Sequence, residues 1–346
     1  MFVHRYRDLD PNIRAECVRA MGFWFQKYPG HFLDGAYLRY VGWVLSDAST
    51  QVRLEAVKSL LGVYQQSEYI GSLNHFTERF KPRLIEMATS DTELPVRVAV
   101  IQVLGAINEQ SLLEDEERES LCLLVFDEEA KVRQAVSQFV KGVWEDSVKE
   151  RLVGKKVDQK DKERTGIKVL GKLLVKWGRA LDNATAEAQA DTEGADKESL
   201  SSGETNSRVA KNAQVASLVS SNQKSRTALA VDALWNEVEP VGDWEALLDL
   251  LQLDHSAGGE DGAEGNRRGR PKKPVDESVV DDVWRLEEVE ESLLLECLVA
   301  ALTRARHSTV GGKKASFFTG SFWTLLTRFV DHRARKRMLS LTSREH

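Results

Sequence analysis

A short pattern recurs four times in the first 133 residues of the chain: Asp, four intervening residues, Ile or Val, and then Arg. Successive copies begin 39, 44 and 36 residues apart, and each lies between two stretches with helical apolar spacing. These distances match the length of a two-helix repeat, which must stack on its neighbours to bury its apolar face. The copies run from Asp8 to Arg14, from Asp47 to Arg53, from Asp91 to Arg97 and from Asp127 to Arg133.

This pattern predicts an all-α fold, a HEAT/armadillo-type α-solenoid with disordered insertions. The Asp falls in the turn between paired helices, where its carboxylate can cap the second helix and favour its positive N-terminal end. The Arg lies one to two turns into that helix and can reach the Asp of its own or a neighbouring repeat. We therefore interpret these eight residues as a structural ladder between stacked repeats rather than as a catalytic set.

Apolar spacing and turn residues divide the chain into helical and irregular segments. Helical repeats are predicted for residues 1–90, 91–181, 226–253 and 279–346. Residues 182–225 lack helical apolar spacing and residues 254–278 are rich in glycine and charge, so both are predicted to be disordered insertions. Because the chain opens inside a repeat without a polar cap, we expect it to be part of a longer solenoid.

Several classes of function have no residues to support them. Seven histidines are scattered without metal-ligand spacing, Cys-x-x-Cys is absent, and no glycine loop leads into Gly-Lys-Ser/Thr. We therefore expect no enzyme activity, metal, cofactor or small-molecule substrate. Three cysteines without paired spacing indicate reduced thiols. No apolar run approaches the roughly 20 residues needed to cross a bilayer, so no membrane association is expected.

Charge is segregated along the chain, with 11 Lys or Arg against 4 acids in residues 149–179. In the predicted helix 167–181, four cations recur every three or four residues, opposite an apolar stripe: Lys168, Lys172, Lys176 and Arg179. Together with Lys155 and Lys156 they form a candidate surface for double-stranded DNA, because phosphate contacts need clustered cations without base-specific geometry. A solvated helix face is the alternative interpretation.

A second DNA candidate is the segment RRGRPKK at residues 267–273. It matches the AT-hook pattern, in which the core Gly269-Arg270-Pro271, with Arg268 just before it, forms a narrow extended segment able to enter the minor groove. A nuclear localisation signal and a solvated linker remain alternatives. The acidic residues just before it oppose DNA binding.

Four separated motifs resemble the stromalin conservative domain, which marks the stromalin HEAT-repeat subunits of cohesin. They are FVHRYRD (2–8), YLRYVGW (37–43), VRLEAVKSLLGVY (52–64) and FTERFKPRL (76–84). Residues 231–251 and 284–302 are similar to later stromalin helices, and the long insertions suggest a fungal member.

The resemblance implies a nuclear, chromatin-associated, non-enzymatic subunit that supports sister chromatid cohesion. Its implied partners are the kleisin subunit, double-stranded DNA and regulator peptides. Repeat spacing alone fits a nuclear transport receptor or a phosphatase scaffold equally well. Co-purification with kleisin, rather than with cargo and a GTPase, distinguishes these alternatives.

The resemblance also implies an aromatic pocket that grips regulator peptides bearing two aromatic residues. The matching positions are Trp43 and Phe80, with Arg79 and Tyr6 nearby, and the last two rest on the resemblance alone. A helical wheel of residues 32–47 turns Trp43 about 160° away from the apolar stripe, so we expect it to face outward. Phe80 shares a stripe with Phe76 and Leu84, and periodicity alone predicts a core position for it.

Overall fold

The computed structural model describes residues 2–154, 158–194, 225–253 and 285–309. These residues form helices joined by turns, and no strand occurs among them. The chain divides into two units, one of residues 1–150 and 176–237 and one of residues 151–175 and 238–346. The prediction of an all-α fold is confirmed for the part of the chain that is described.

The first unit is a two-layer stack of paired helices. One layer contains α2, α5 and α7, each packed against the next, and α4, α6 and α8 follow one another in the other layer. The bounds are α1 Phe2–Arg5, α2 Pro11–Lys27, α3 Pro29–Phe32, α4 Gly35–Val44, α5 Thr50–Tyr64, α6 Ile70–Ser90, α7 Leu94–Glu109, α8 Asp115–Cys122 and α9 Ala130–Leu152. Short 3-10 segments at Ser67–Tyr69 and Leu123–Phe126 precede α6 and follow α8.

The predicted ladder between repeats is present. Arg14 donates hydrogen bonds to both carboxylate oxygens of Asp47, at 2.8 Å each. Arg53 reaches both oxygens of Asp91 at 2.8 and 2.9 Å, and Arg97 reaches those of Asp127 at 2.5 and 3.5 Å. Every one of these arginines therefore binds the Asp of the following repeat, which joins consecutive repeats through bidentate, charged hydrogen bonds.

The ladder arginines also hold their own turns together. Arg14 donates to the backbone carbonyl of Asp8 at 2.8 Å, and Arg53 donates to that of Asp47 at 2.9 Å. Burial would raise the pKa of the Asp47 carboxyl, but hydrogen bonds from Arg14 and from the backbone N–H of Ser49 outweigh it and hold that pKa below its ordinary value. The carboxylate is therefore charged within its ion pair at neutral pH.

The prediction that each ladder Asp caps the second helix of its repeat is wrong. The Asp47 side chain accepts the N–H of Ser49 at 2.8 Å, and that of Asp91 accepts the N–H of Glu93 at 3.0 Å. Ser49 and Glu93 are themselves the residues that precede α5 and α7. Because the Asp lies two residues before the cap position, its carboxylate closes the turn instead of satisfying the first N–H groups of the helix.

The last ladder residue, Arg133, has a different partner. It donates to the backbone carbonyls of Asp127 and Glu128 at 2.6 and 2.7 Å. Helix α11 (Arg226–Leu234) packs against the 3-10 segment at Leu123–Phe126. Burial lowers the pKa of the Arg133 guanidinium, and the carboxylate of Asp232 on α11 opposes that effect. A helix from beyond the insertion thus supplies negative charge to the end of the ladder.

The second unit is built around the first half of a long helix, α10 (Gln159–Gly194), with α12 (Glu239–Gly242), α13 (Trp244–Gln252) and α14 (Glu288–Thr309). Its core contains Ile167, Leu247, Leu248, Leu250, Leu251, Leu286, Leu294 and Leu298. Gly171 allows α10 and α14 to approach closely, because a Cβ there would lie 3.1 Å from Leu294. The predicted apolar stripe of α10, from Ile167 to Leu181, is buried as expected.

Helix α10 extends past the predicted start of the first insertion at residue 182. The helix continues to Gly194, so residues 182–194, assigned to the disordered segment 182–225, are helical. This stretch has no apolar stripe but is rich in alanine, which has the highest intrinsic helix propensity. The rest of that insertion as far as residue 224, the second insertion (254–278) and the predicted helical end of the chain beyond 309 lie outside the described residues.

Replacing Arg53 with Ala is expected to lower the free energy of unfolding by about 3–5 kcal/mol, because it leaves the buried Asp91 carboxylate without its cation. The two side chains are only 10% and 4% exposed. Urea denaturation measures the loss. Arg19→Ala is the matched control, since it breaks a pair with Glu55 in which the arginine is 51% exposed, and it should change stability little. Equal, small losses in both variants would show that the ladder contributes no more than surface charge.

Candidate functional site

Trp43 faces solvent from a helix whose other large apolar residues are buried. Leu38, Val41 and Val44 are at most 4% exposed, whereas Trp43 is 39% exposed. This agrees with the outward direction given by the helical wheel. An indole on the solvent side of a packed helix contributes little to the core and offers a large, rigid surface for a ligand.

Two tyrosines surround the Trp43 ring. Tyr6, which follows α1, is buried, and its ring centroid lies 6.0 Å from that of Trp43. Tyr40, one helical turn before Trp43, lies 5.4 Å from it in an edge-to-face arrangement and 4.9 Å from Tyr6. The two tyrosines support the inner side of the indole and leave part of it open. The structure thus brings Tyr6 and Trp43 together, as the resemblance implies.

Two arginines flank the same cluster. The guanidinium of Arg7 lies 5.2 Å from the Tyr6 ring centroid and 6.0 Å from that of Trp43. Arg39 lies 5.2 Å from the Tyr40 centroid and 5.6 Å from that of Trp43. Both arginines are exposed, and both are within cation–π range of the indole. The open part of Trp43 therefore has a positively charged rim.

Phe80 reaches α4 at the residue next to Trp43. Its ring lies against Gly42 and packs at a tilt on Phe76, with ring centroids 4.7 Å apart. The guanidinium of Arg79 lies 5.4 Å from the Phe80 centroid. Phe76 is buried, whereas Phe80 is only half-buried. The prediction of a core position is therefore met only in part, because some of the Phe80 side chain is accessible.

The site contains residues that the sequence interpretation missed: Arg7, Arg39, Tyr40 and Gly42. Tyr40 carried a usable signal, because a residue three positions before Trp43 shares its face of the helix. Gly42 carried another, since a glycine inside a helix indicates a close approach. The arginines carried none, because single surface arginines are ordinary in any soluble helix.

Three of the four cations predicted for the basic face of α10 are exposed. Lys172, Lys176 and Arg179 are exposed, but Lys176 donates to both carboxylate oxygens of Glu119 at 2.6 Å. Lys168 is half-buried, and desolvation lowers its pKa against the opposing charge of Glu290. Lys168 is therefore the least exposed described member of the candidate DNA surface. Val169 and Val175 are also buried, so the buried face of α10 is wider than the predicted apolar stripe and reaches the position of Lys168.

The remaining predicted DNA residues, Lys155, Lys156, Arg268 and Arg270, lie outside the described residues. Within the described ranges, no group of three or more His, Cys, Asp or Glu side chains is arranged to hold a metal ion. No helix in those ranges has the length and apolarity that crossing a bilayer requires. Cys17, Cys122 and Cys297 form no disulfide, and burial raises the pKa of Cys122 and Cys297 to about 12.

Comparison with known proteins relates this site to one family. The stromalin conservative domain matches residues 7–81, a range that contains Trp43, Arg79 and Phe80. The cohesin subunit psc3 of Schizosaccharomyces pombe is 40% identical over 152 residues, which are 44% of this chain and 16% of that protein. Sister-chromatid cohesion protein 3 of Arabidopsis thaliana is 36% identical over 140 residues, 40% of this chain and 13% of that protein.

A solved structure resembles the fold. The cohesin subunit Scc3 from Z. rouxii aligns with a TM-score of 0.55 at 22% identity, over 90% of this chain and 31% of that one. At this identity the likeness bears on the helical fold alone. The chain spans only a small part of the length of these relatives. The resemblance stated from the four sequence motifs is confirmed: residues 7–81 match the stromalin conservative domain.

Proposed function

We propose that the chain is a non-enzymatic, helical-repeat part of a cohesin subunit in the nucleus, and that its Trp43 site binds short peptides carrying two aromatic residues. The observation that carries the proposal is the 39% exposed indole, supported by two tyrosines and flanked by two arginines. The names of the relatives, which are cohesin subunits, support the assembly. Kleisin binding is proposed on the same family grounds, without residues assigned to it.

The geometry suits a ligand with two aromatic side chains because it offers two neighbouring surfaces. One is the open part of Trp43 beside Tyr6, and the other is the accessible part of Phe80 beside Arg79. Gly42 adjoins both. An aromatic ring stacked on either surface gains contact area at a small entropic cost, since few of its torsions must be fixed. A peptide with one aromatic residue would use only one of them.

Replacing Trp43 with Ala is expected to reduce affinity for such a peptide by about 2 kcal/mol or more, as is typical of an anchor residue. The melting temperature should change little, because a large part of the indole is exposed. Fluorescence anisotropy with a labelled peptide measures the affinity. Phe23→Ala is the matched control: Phe23 is a 60% exposed aromatic residue on α2, outside the cluster. A large fall in melting temperature with unchanged affinity would instead assign Trp43 to packing.

DNA binding is a second proposed activity, for which the exposed cations of α10 are the described candidates. Lys172 and Arg179 lie on the solvent side of the helix. Lys176 forms an ion pair with Glu119, and a Glu at position 168 would be repelled by Glu290. Charge reversal at either position would therefore disturb the fold as well as any DNA contact. Contacts of this type bind phosphates and carry no base identity.

Changing Lys172 and Arg179 together to Glu is expected to weaken binding to AT-rich and GC-rich duplexes equally, because both present the same phosphates. In the parent chain, affinity should fall with salt at a log-log slope of roughly −0.9 per phosphate neutralised. Titration of labelled duplexes at several salt concentrations measures both quantities. The AT-hook alternative predicts that Arg270→Ala removes a preference for AT-rich DNA. Unchanged binding of both duplexes by the Glu variant at low salt would show that this helix face is only solvated surface.

A further inference from the structure

Gly42 precedes Trp43 on α4 and lies against Phe80 of α6. A Cβ atom at position 42 would lie 2.2 Å from Cζ of Phe80 and within 2.6 Å of both Cε atoms of that ring. Contacts this short do not occur between non-bonded carbon atoms, which approach to about 3.5 Å. The Phe80 ring therefore occupies the space that any other residue at position 42 would fill.

Phe80 cannot yield this space by a small movement. Its ring packs at a tilt of 33° against the buried Phe76, with a centroid distance of 4.7 Å, and the Arg79 guanidinium lies 5.4 Å from its centroid. An aromatic ring on a helix has few allowed rotamers, so relief of the contact requires a different rotamer or a separation of α4 from α6. Either change moves Phe80 relative to Trp43.

We infer that Gly42 is a positioning residue of the peptide site, whose missing side chain sets the distance between the Trp43 and Phe80 surfaces. This inference rests on the proposed function and deepens it. It assigns recognition of the second aromatic residue to the Gly42–Phe80 contact, whereas recognition of the first depends on Trp43 with Tyr6 and Tyr40. The two aromatic contacts of a ligand are therefore separable by substitution.

The test uses synthetic peptides with two Phe residues separated by one, two or three residues, and the same peptides with either Phe replaced by Ser. Gly42→Ala should weaken the best two-Phe peptide by roughly tenfold or more, the loss expected when an anchor contact is removed. It should leave the weaker binding of the single-Phe peptides unchanged, because Trp43 is untouched. A structural role alone would not discriminate between these ligands.

Two other glycines provide matched controls. At Gly62 a Cβ would meet the Gln26 side chain, with Nε2 at 2.1 Å and Cδ at 3.3 Å. This is the end of a flexible side chain, so Gly62→Ala should keep both stability and affinity. At Gly22 it would meet Oγ and Cβ of Ser59 at 2.4 and 2.7 Å. Gly22→Ala should therefore lower the melting temperature through a clash between α2 and α5 and leave the peptide affinity of the folded protein unchanged.

A double variant covers the case in which Gly42→Ala folds poorly. Combining Gly42→Ala with Phe80→Leu removes the clashing ring, so the melting temperature should recover while affinity for the two-Phe peptide stays low. Parent-like affinity for that peptide in Gly42→Ala, or in the double variant, would overturn the inference. If the parent chain binds none of the peptides, the proposed function itself is wrong and the inference fails with it.

Discussion

The bond from each ladder arginine to the Asp of the next repeat is the interaction on which the rest of the first unit depends. Hydrophobic contact between α2, α5 and α7 drives stacking but tolerates sliding, because apolar side chains interdigitate in more than one register. A bidentate pair such as Arg14–Asp47 has one geometry. The attraction between two buried charges is offset by the cost of removing both from water. The best-attested use of such pairs is therefore to specify register. We assign the ladder that role here.

Register has a functional consequence, because the aromatic site is assembled from three successive repeats. Tyr6, Trp43 and Phe80 are each 37 residues apart and lie after α1, on α4 and on α6. The first ladder bond joins the repeats of Tyr6 and Trp43, and the bond from Arg53 to Asp91 joins those of Trp43 and Phe80. A change in how these repeats align would separate the three rings. The charged bonds in the turns therefore determine the geometry of the aromatic site.

The sequence predicted what depends on periodicity and short-range spacing. The helical class of the fold, the pairing of ladder arginines with ladder Asp residues and the outward direction of Trp43 follow from patterns within one or two helices. The errors arose where a third element decides the outcome. The partial burial of Lys168 requires α14, and the close approach at Gly42 requires Phe80 from the next repeat. The extension of α10 to Gly194 was missed because alanine propensity, rather than an apolar stripe, stabilises it.

The most direct test of the link between ladder and site is an NMR comparison of ring contacts in the parent and in Arg14→Gln. Nuclear Overhauser effects between Tyr6 and Trp43 report the register of α1 against α4, and those between Tyr40 and Trp43, within α4, serve as an internal reference. Loss of the first set with retention of the second is the predicted result. Retention of both sets in Arg14→Gln would contradict the account, because the rings would then be positioned by apolar packing alone.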